Sequence, residues 1–177
     1  MKRIAILVIM TMLILVPAWA QENKRVIRAQ GFILEDDQGR GRAELGMTSE
    51  GPGLFLYDEN SEIGIVLMME KEGSGLVLCD RLGEIRIILS VDEEGTDLEL
   101  YDKNGKRRIV LAMDEKGPVL ALLNENGECR LQLRSVTNAS WLWLKDENNK
   151  TRIMLVASET ESGMVLYDKN GKIIWKE

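Results

Sequence analysis

The sequence predicts an all-β fold: seven 22-residue antiparallel β-hairpin repeats, about 14 strands, laid out as one meander. Three observations carry this. The same residue types recur every 22 positions without a gap, apolar residues alternate within each recurrence, and the alternating runs are separated by pairs such as Asn104-Gly105. A fixed short period marks a repeat array. Alternation marks half-buried strands, and Asn-Gly between two such runs marks a hairpin.

The frame is set by Asp36, Asp58, Asp80, Asp102, Asn124, Asp146 and Asp168, the centres of the seven units. Two residues before them stand Leu34, Leu56, Leu78, Leu100, Leu122, Leu144 and Leu166, and four before them Phe32, Leu54, Leu76, Leu98, Leu120, Leu142 and Met164. Seven after come Ala43, Ile65, Ile87, Ile109, Leu131, Ile153 and Trp175, and nine after Leu45, Leu67, Leu89, Leu111, Leu133 and Leu155. The phrase LYDKNGK, present at Leu100–Lys106 and again at Leu166–Lys172, is one unit corner met three units apart.

Within a unit, a two-residue type I′ turn at Asn104-Gly105 sets Leu100 opposite Ile109 and Leu98 opposite Leu111. It also sets Tyr101 opposite Arg108 and Lys103 opposite Lys106. Both residues of such a turn need positive φ, which Leu82-Gly83 and Asn60-Ser61 supply poorly. The leucine columns then meet other aliphatic columns on one face, as a correct register requires. This leucine face is the expected core.

Between units, the expected turn centres are Glu50-Gly51, Glu72-Gly73, Glu94-Gly95 and Lys116-Gly117, with weaker versions at Asn138-Ala139 and Thr160-Glu161. A turn centred there shifts the register by two residues per unit and coils the array. Centring it one residue earlier removes the shift and gives a flatter sheet. Glycine at the second position favours the shifted form, and the choice stays open.

The opposite, second face is half apolar, with Ile33, Phe55, Val77, Ala121, Trp143 and Val165 beside Glu99 in its central column. Hiding it calls for a sheet that curls into a solenoid-like or two-layer form, or for association of several chains. A closed up-and-down barrel is the alternative. Membrane insertion is disfavoured, because strands of about seven residues fall short of the roughly 9–11 that outer-membrane barrels use.

Lys2 and Arg3, the apolar run Ile4–Val16 and then Pro17-Ala18-Trp19-Ala20 read as a signal peptide over residues 1–20. A run of about 13 apolar residues is short for a span that needs roughly 20. Residues 21–177 then form a single repeat domain, exported to the periplasm or to the cell surface and beyond. Net charge is -6, and losing Lys2 and Arg3 takes it to -8. That balance disfavours nucleic acid and anionic membranes as partners. Two cysteines, Cys79 and Cys129, make no disulfide framework, and without histidine they form no Cys/His zinc site.

A chain with no histidine lacks the commonest general base and metal ligand. Its acidic residues fall mostly in turns, and Ser90, Ser135 and Ser158 have no histidine partner. Asp-x-Asn-Gly corners lack the spaced ligands of an EF-hand loop. No catalytic, metal or cofactor residue is assigned, and the chain is expected not to be an enzyme. Binding candidates are Tyr57, Tyr101, Tyr167, Trp141 and Trp143, which can stack on sugars, and Arg86, Arg108, Arg130 and Arg152, which can hold anionic groups. The competing reading gives these arginines to cross-strand pairing and the tryptophans to packing.

YDKNGK resembles the tyrosine-aspartate repeats of bacterial secreted shell proteins, which also use short hairpins. The likeness spans a few residues per unit, the leucine columns differ, and no function is carried over. The function expected from the residues is an exported, non-enzymatic structural or protein-binding module. A carbohydrate-binding surface module is the alternative. The partner is then a protein, a polysaccharide or further copies of the chain.

Overall fold

The computed structural model describes residues 27–177, so the expected signal peptide at 1–20 lies outside the described residues. Among the described residues fourteen strands follow in order: β1 (Gly31–Glu35), β2 (Gly41–Met47), β3 (Pro52–Tyr57), β4 (Ile63–Met69), β5 (Gly73–Cys79), β6 (Ile85–Asp92) and β7 (Thr96–Tyr101). After them come β8 (Arg107–Asp114), β9 (Gly117–Leu123), β10 (Cys129–Val136), β11 (Ala139–Lys145), β12 (Thr151–Ser158), β13 (Ser162–Tyr167) and β14 (Ile173–Lys176). They form one antiparallel sheet in chain order, two strands to each 22-residue unit.

The sheet stays open. β1 and β14 are its two edges, and each strand touches only its sequence neighbours. The expected solenoid-like curl, the two-layer form and the closed barrel are therefore all corrected to a single-layer meander. The register explains why. Met47 pairs with Pro52 and Val91 with Thr96, so the joining turns centre on Ser49-Glu50 and Glu93-Glu94, one residue before the expected position. Unit follows unit with no stagger, and closing a sheet into a barrel requires stagger.

Two aliphatic rows consequently run straight across the sheet. One passes from Phe32 through Leu45, Leu54, Leu67 and Leu76 toward Leu155 and Met164. The other passes from Leu34 through Ala43, Leu56, Ile65 and Leu78 toward Leu166 and Trp175.

The hairpin corners also differ from expectation. Gly105 has φ +71°, but Asn104 is not left-handed. Gly105 N–H donates to the Asp102 carbonyl at 3.0 Å, and Asp102 N–H donates to the Lys106 carbonyl at 2.9 Å. This is a three-residue loop, a type I turn followed by one left-handed residue. Only the second position of the pair needs positive φ, so Leu82 is accommodated, and Ser61 and Asn149 take up φ 67° and 59°. A bulge then absorbs the extra residue: Leu100 pairs with Ile109 as expected, but Tyr101 pairs with Arg107 instead of Arg108. Lys106 lies opposite Asp102, not Lys103.

The leucine face is not a closed core. Leu45 and Leu111 are each 49% exposed and Leu155 39%. Among the described residues, the two buried apolar side chains, Val119 (7%) and Val165 (4%), sit on the second face. Val119 lies between Ala112 and Arg134, and Val165 between Met154 and Lys176.

Candidate functional site

The corners are built by one carboxylate or amide per unit. Asp102 Oδ1 accepts from Asn104 N–H at 2.8 Å and Lys106 N–H at 3.1 Å, tying down the turn's own donors. Asp36, Asp58, Asp80, Asp146 and Asp168 do the same, and Asn124 uses its amide oxygen at 3.0 Å to both Asn126 and Glu128. The second oxygen of Asp102 takes Arg108 at 3.0 Å. That arginine, with the two turn amides, holds the Asp102 carboxyl below the ordinary range.

The four candidate arginines all take part in this row. Each reaches its own unit's corner and the backbone of the next. Arg86 pairs with Asp80 at 2.5 Å and donates to the Asp102 carbonyl at 2.8 Å. Arg108 donates to the Leu123 carbonyl and Arg152 to the Tyr167 carbonyl, both at 2.9 Å. Arg130, facing Asn124 rather than an aspartate, pairs with Glu128 at 2.6 Å and reaches the Asp146 carbonyl. Their guanidinium groups stitch neighbouring corners together.

Of the candidate aromatics, the structure gathers Trp141, Trp143 and Tyr167 and leaves Tyr57 and Tyr101 apart. Trp141 and Trp143 both point from β11 onto the second face and stack with ring centres 5.7 Å apart and planes at 19°. Such a pair contributes about 0.5–1.5 kcal/mol beyond burial. A shallow groove of about 600 Å³ runs along the pair past Gln132, Arg134, Lys116 and Asn138. A second, of about 380 Å³, continues from Trp143 to Met154 and Tyr167. The buried Trp141 Nε1 meets no hydrogen-bond partner among the described residues.

Tyr101 is held elsewhere: its hydroxyl donates to Glu99 Oε2 at 2.5 Å, while Arg107 pairs with Glu99 Oε1. The Glu99 hydrogen bond, then burial, pushes the Tyr101 hydroxyl up. Tyr57, raised first by burial and then by Glu44, donates to Glu44 Oε2 over a long 3.5 Å.

The residue missed in the sequence is Arg134. It stands across from Trp141 and forks onto Asp114 at 2.9 and 2.6 Å. That fork lowers the Asp114 carboxyl to about 2. A signal exists: Arg134 is the lone charge in a column that otherwise holds Gly46, Met68, Ser90, Ala112 and Val156.

Cys79 and Cys129 are free thiols, one at the end of β5 and the other at the start of β10. Five strands at about 4.8 Å each separate them too far for a disulfide within one chain. Among the described residues, no cluster of three acidic or cysteine side chains is placed to hold a metal, and no helix is long and apolar enough to cross a membrane. Set against known proteins, the chain matches no family model and no curated protein.

Proposed function

We propose that the chain is an exported, non-enzymatic module that acts as a structural or protein-binding element outside the cytoplasm, with the leucine face as its binding surface. One observation carries this reading: an open single layer of fourteen strands leaves two aliphatic rows uncovered, one with Leu45, Leu67, Leu89, Leu111, Leu133 and Leu155 exposed and the other largely half-buried beside it. Contiguous exposed apolar surface of that extent is characteristic of interaction sites. Repeat sheets offer such long surfaces in place of enclosed pockets. The segment at 1–20 supplies the export half of the reading. Fractionation of the producing cells with mass spectrometry of the product tests it. A chain beginning at Gln21 outside the cytoplasm is expected, and an intact chain beginning at Met1 inside it sinks the export half. Leu89→Glu and Leu111→Glu are expected to abolish capture of the natural partner, and unchanged capture removes the leucine face from consideration.

A second reading is carried by the stacked tryptophans and the unpaired Trp141 Nε1: the second-face groove holds a polysaccharide. Ring faces pack on sugar C–H groups, and Gln132, Asn138 and Arg134 line the groove with donors. Titration of neutral and anionic polysaccharides against tryptophan fluorescence decides it. A response lost in Trp143→Ala supports the groove, whereas silence across both classes discards it.

A further inference from the structure

We infer that the leucine face is self-complementary and that its occupant is a second copy of this chain, stacked face to face. This rests on the reading of that face as a binding surface and names its partner. The face has relief. On the even-numbered strands Leu45, Leu67, Leu89, Leu111, Leu133 and Leu155 stand exposed. The members of the same row on β3, β5, β7, β9, β11 and β13 are half-buried between them. Ribs therefore recur every second strand, about 10 Å apart at the usual strand spacing. A partner that fills every furrow must carry ribs of the same spacing. A second copy carries them by construction, whereas a helix or loop meets one or two furrows and leaves the others wet.

Area and charge agree. Fourteen strands about 4.8 Å apart, carrying two aliphatic rows each about 7 Å wide, give a face on the order of 1,000 Å², above the roughly 800 Å² each partner contributes to a standard interface. From β2 to β13 neither aliphatic row holds an ionisable residue, so two acidic chains meet there without like charges opposed. The result is a two-fold, two-layer sandwich with the sheets about 10 Å apart, each copy supplying half of the core that one layer lacks.

Light scattering on the purified full chain over a wide dilution series tests this, read together with a dye that fluoresces on apolar surface. The mass of two chains is expected, dark to the dye, with fluorescence rising as dilution separates the pair. In the double variant Leu67→Glu, Leu111→Glu the mass should halve while far-ultraviolet circular dichroism keeps its strand signal. The dilution arm needs no substitution, so it decides the matter even where that variant fails to fold. A single-chain mass that is bright to the dye overturns self-pairing and leaves the face open for another protein. A single-chain mass that is dark overturns both self-pairing and the binding surface. A two-chain mass that survives in the folded rib variant places the contact elsewhere and also overturns the inference.

Discussion

The sheet has two rows of corners, and glycine does different work in each. In the hairpin row, Gly105 adopts φ +71° and an added Cβ would meet nothing within 4 Å. Its value is conformational: left-handed backbone without a Cβ penalty. In the joining row, Gly95 lies at φ +148°, and an added Cβ would fall 1.8 Å from the Met113 carbonyl oxygen. Its value is steric, because the backbone of the next strand passes where a side chain would be. Gly51 and Gly117 meet the same obstacle at 2.0 and 2.4 Å. Two glycines that look alike in the sequence thus answer to different physics.

Gly95→Ala should have the largest effect, about 3 kcal/mol or more, because backbone must move to admit the methyl. Gly105→Ala should cost only about 1 kcal/mol, the penalty of a left-handed alanine in open space. Since each strand touches only its neighbours, the Gly95 damage should stay local. Hydrogen exchange should show β7–β9 losing protection while β1–β3 and β12–β14 keep theirs. Equal effects of the two alanines would erase the distinction between the rows.

Acid should separate the rows next. Asp36, Asp58, Asp80, Asp102 and Asp146 in the hairpin row have carboxyls held below the ordinary range, by turn amides and, in most, an arginine. A folded pKa below the unfolded value of about 3.9 means stability present above that value and lost as pH falls through the folded one. Two joining corners are capped instead by hydroxyls, Thr48 and Ser158, which do not titrate there. From about pH 4 downward, amide protection factors should fall at Asn104 and Lys106 and hold at Glu50 and Glu161. The Arg134 fork on Asp114 should outlast the other carboxylates, failing only near pH 2.

These corners also show what could be read from the sequence. The 22-residue frame follows from the recurrence, the strands from alternation, and the pairing of Leu98 with Leu111 from alternation together with the Asn104-Gly105 corner, and the structure has them. The turn type does not follow. A two-residue turn, and a three-residue turn with one bulge, place Leu100 opposite Ile109 equally well, so the leucine columns are blind to the difference. The joining register was hidden in a similar way: a shift of two residues keeps every side chain on its own face, and the face test passes both forms. Glycine at these positions favours the shifted form only while its steric role is out of sight, and that role lies in a contact of Gly95 with Met113, 18 residues on. Of the candidate site, the aromatic grouping was half visible, whereas the Arg134–Asp114 fork crosses strands 20 residues apart and depends on the register just described.

Asn124→Ala probes the hairpin row by itself. It removes the acceptor shared by Asn126 and Glu128 N–H, and water replaces it in part, so a loss of about 1 kcal/mol is expected. Asn124→Asp should restore the turn and bring this unit into line with the other six. Chemical denaturation with a probe on β9 or β10 measures both. No loss in the alanine variant would mean that the corner is held by its backbone bonds alone.

The smallest effect runs the other way. Ser61 occupies, at φ 67°, the corner position that glycine fills in five other units. A serine there carries the left-handed penalty of about 1–2 kcal/mol that glycine escapes. Ser61→Gly gives part of that gain back, because glycine also loosens the unfolded chain. A net stabilisation of about 0.5–1 kcal/mol is therefore expected, localised to β3 and β4. The contrast is with Ala139, which occupies the joining-row position that glycine fills at Gly117 and pairs with Ser158 without positive φ. Ala139→Gly has no strain to relieve and should be neutral or slightly destabilising. A gain at Ser61 with none at Ala139, read as shifts in denaturation midpoint, would confirm that the hairpin row selects glycine for its backbone freedom. Equal gains would mean that both rows do.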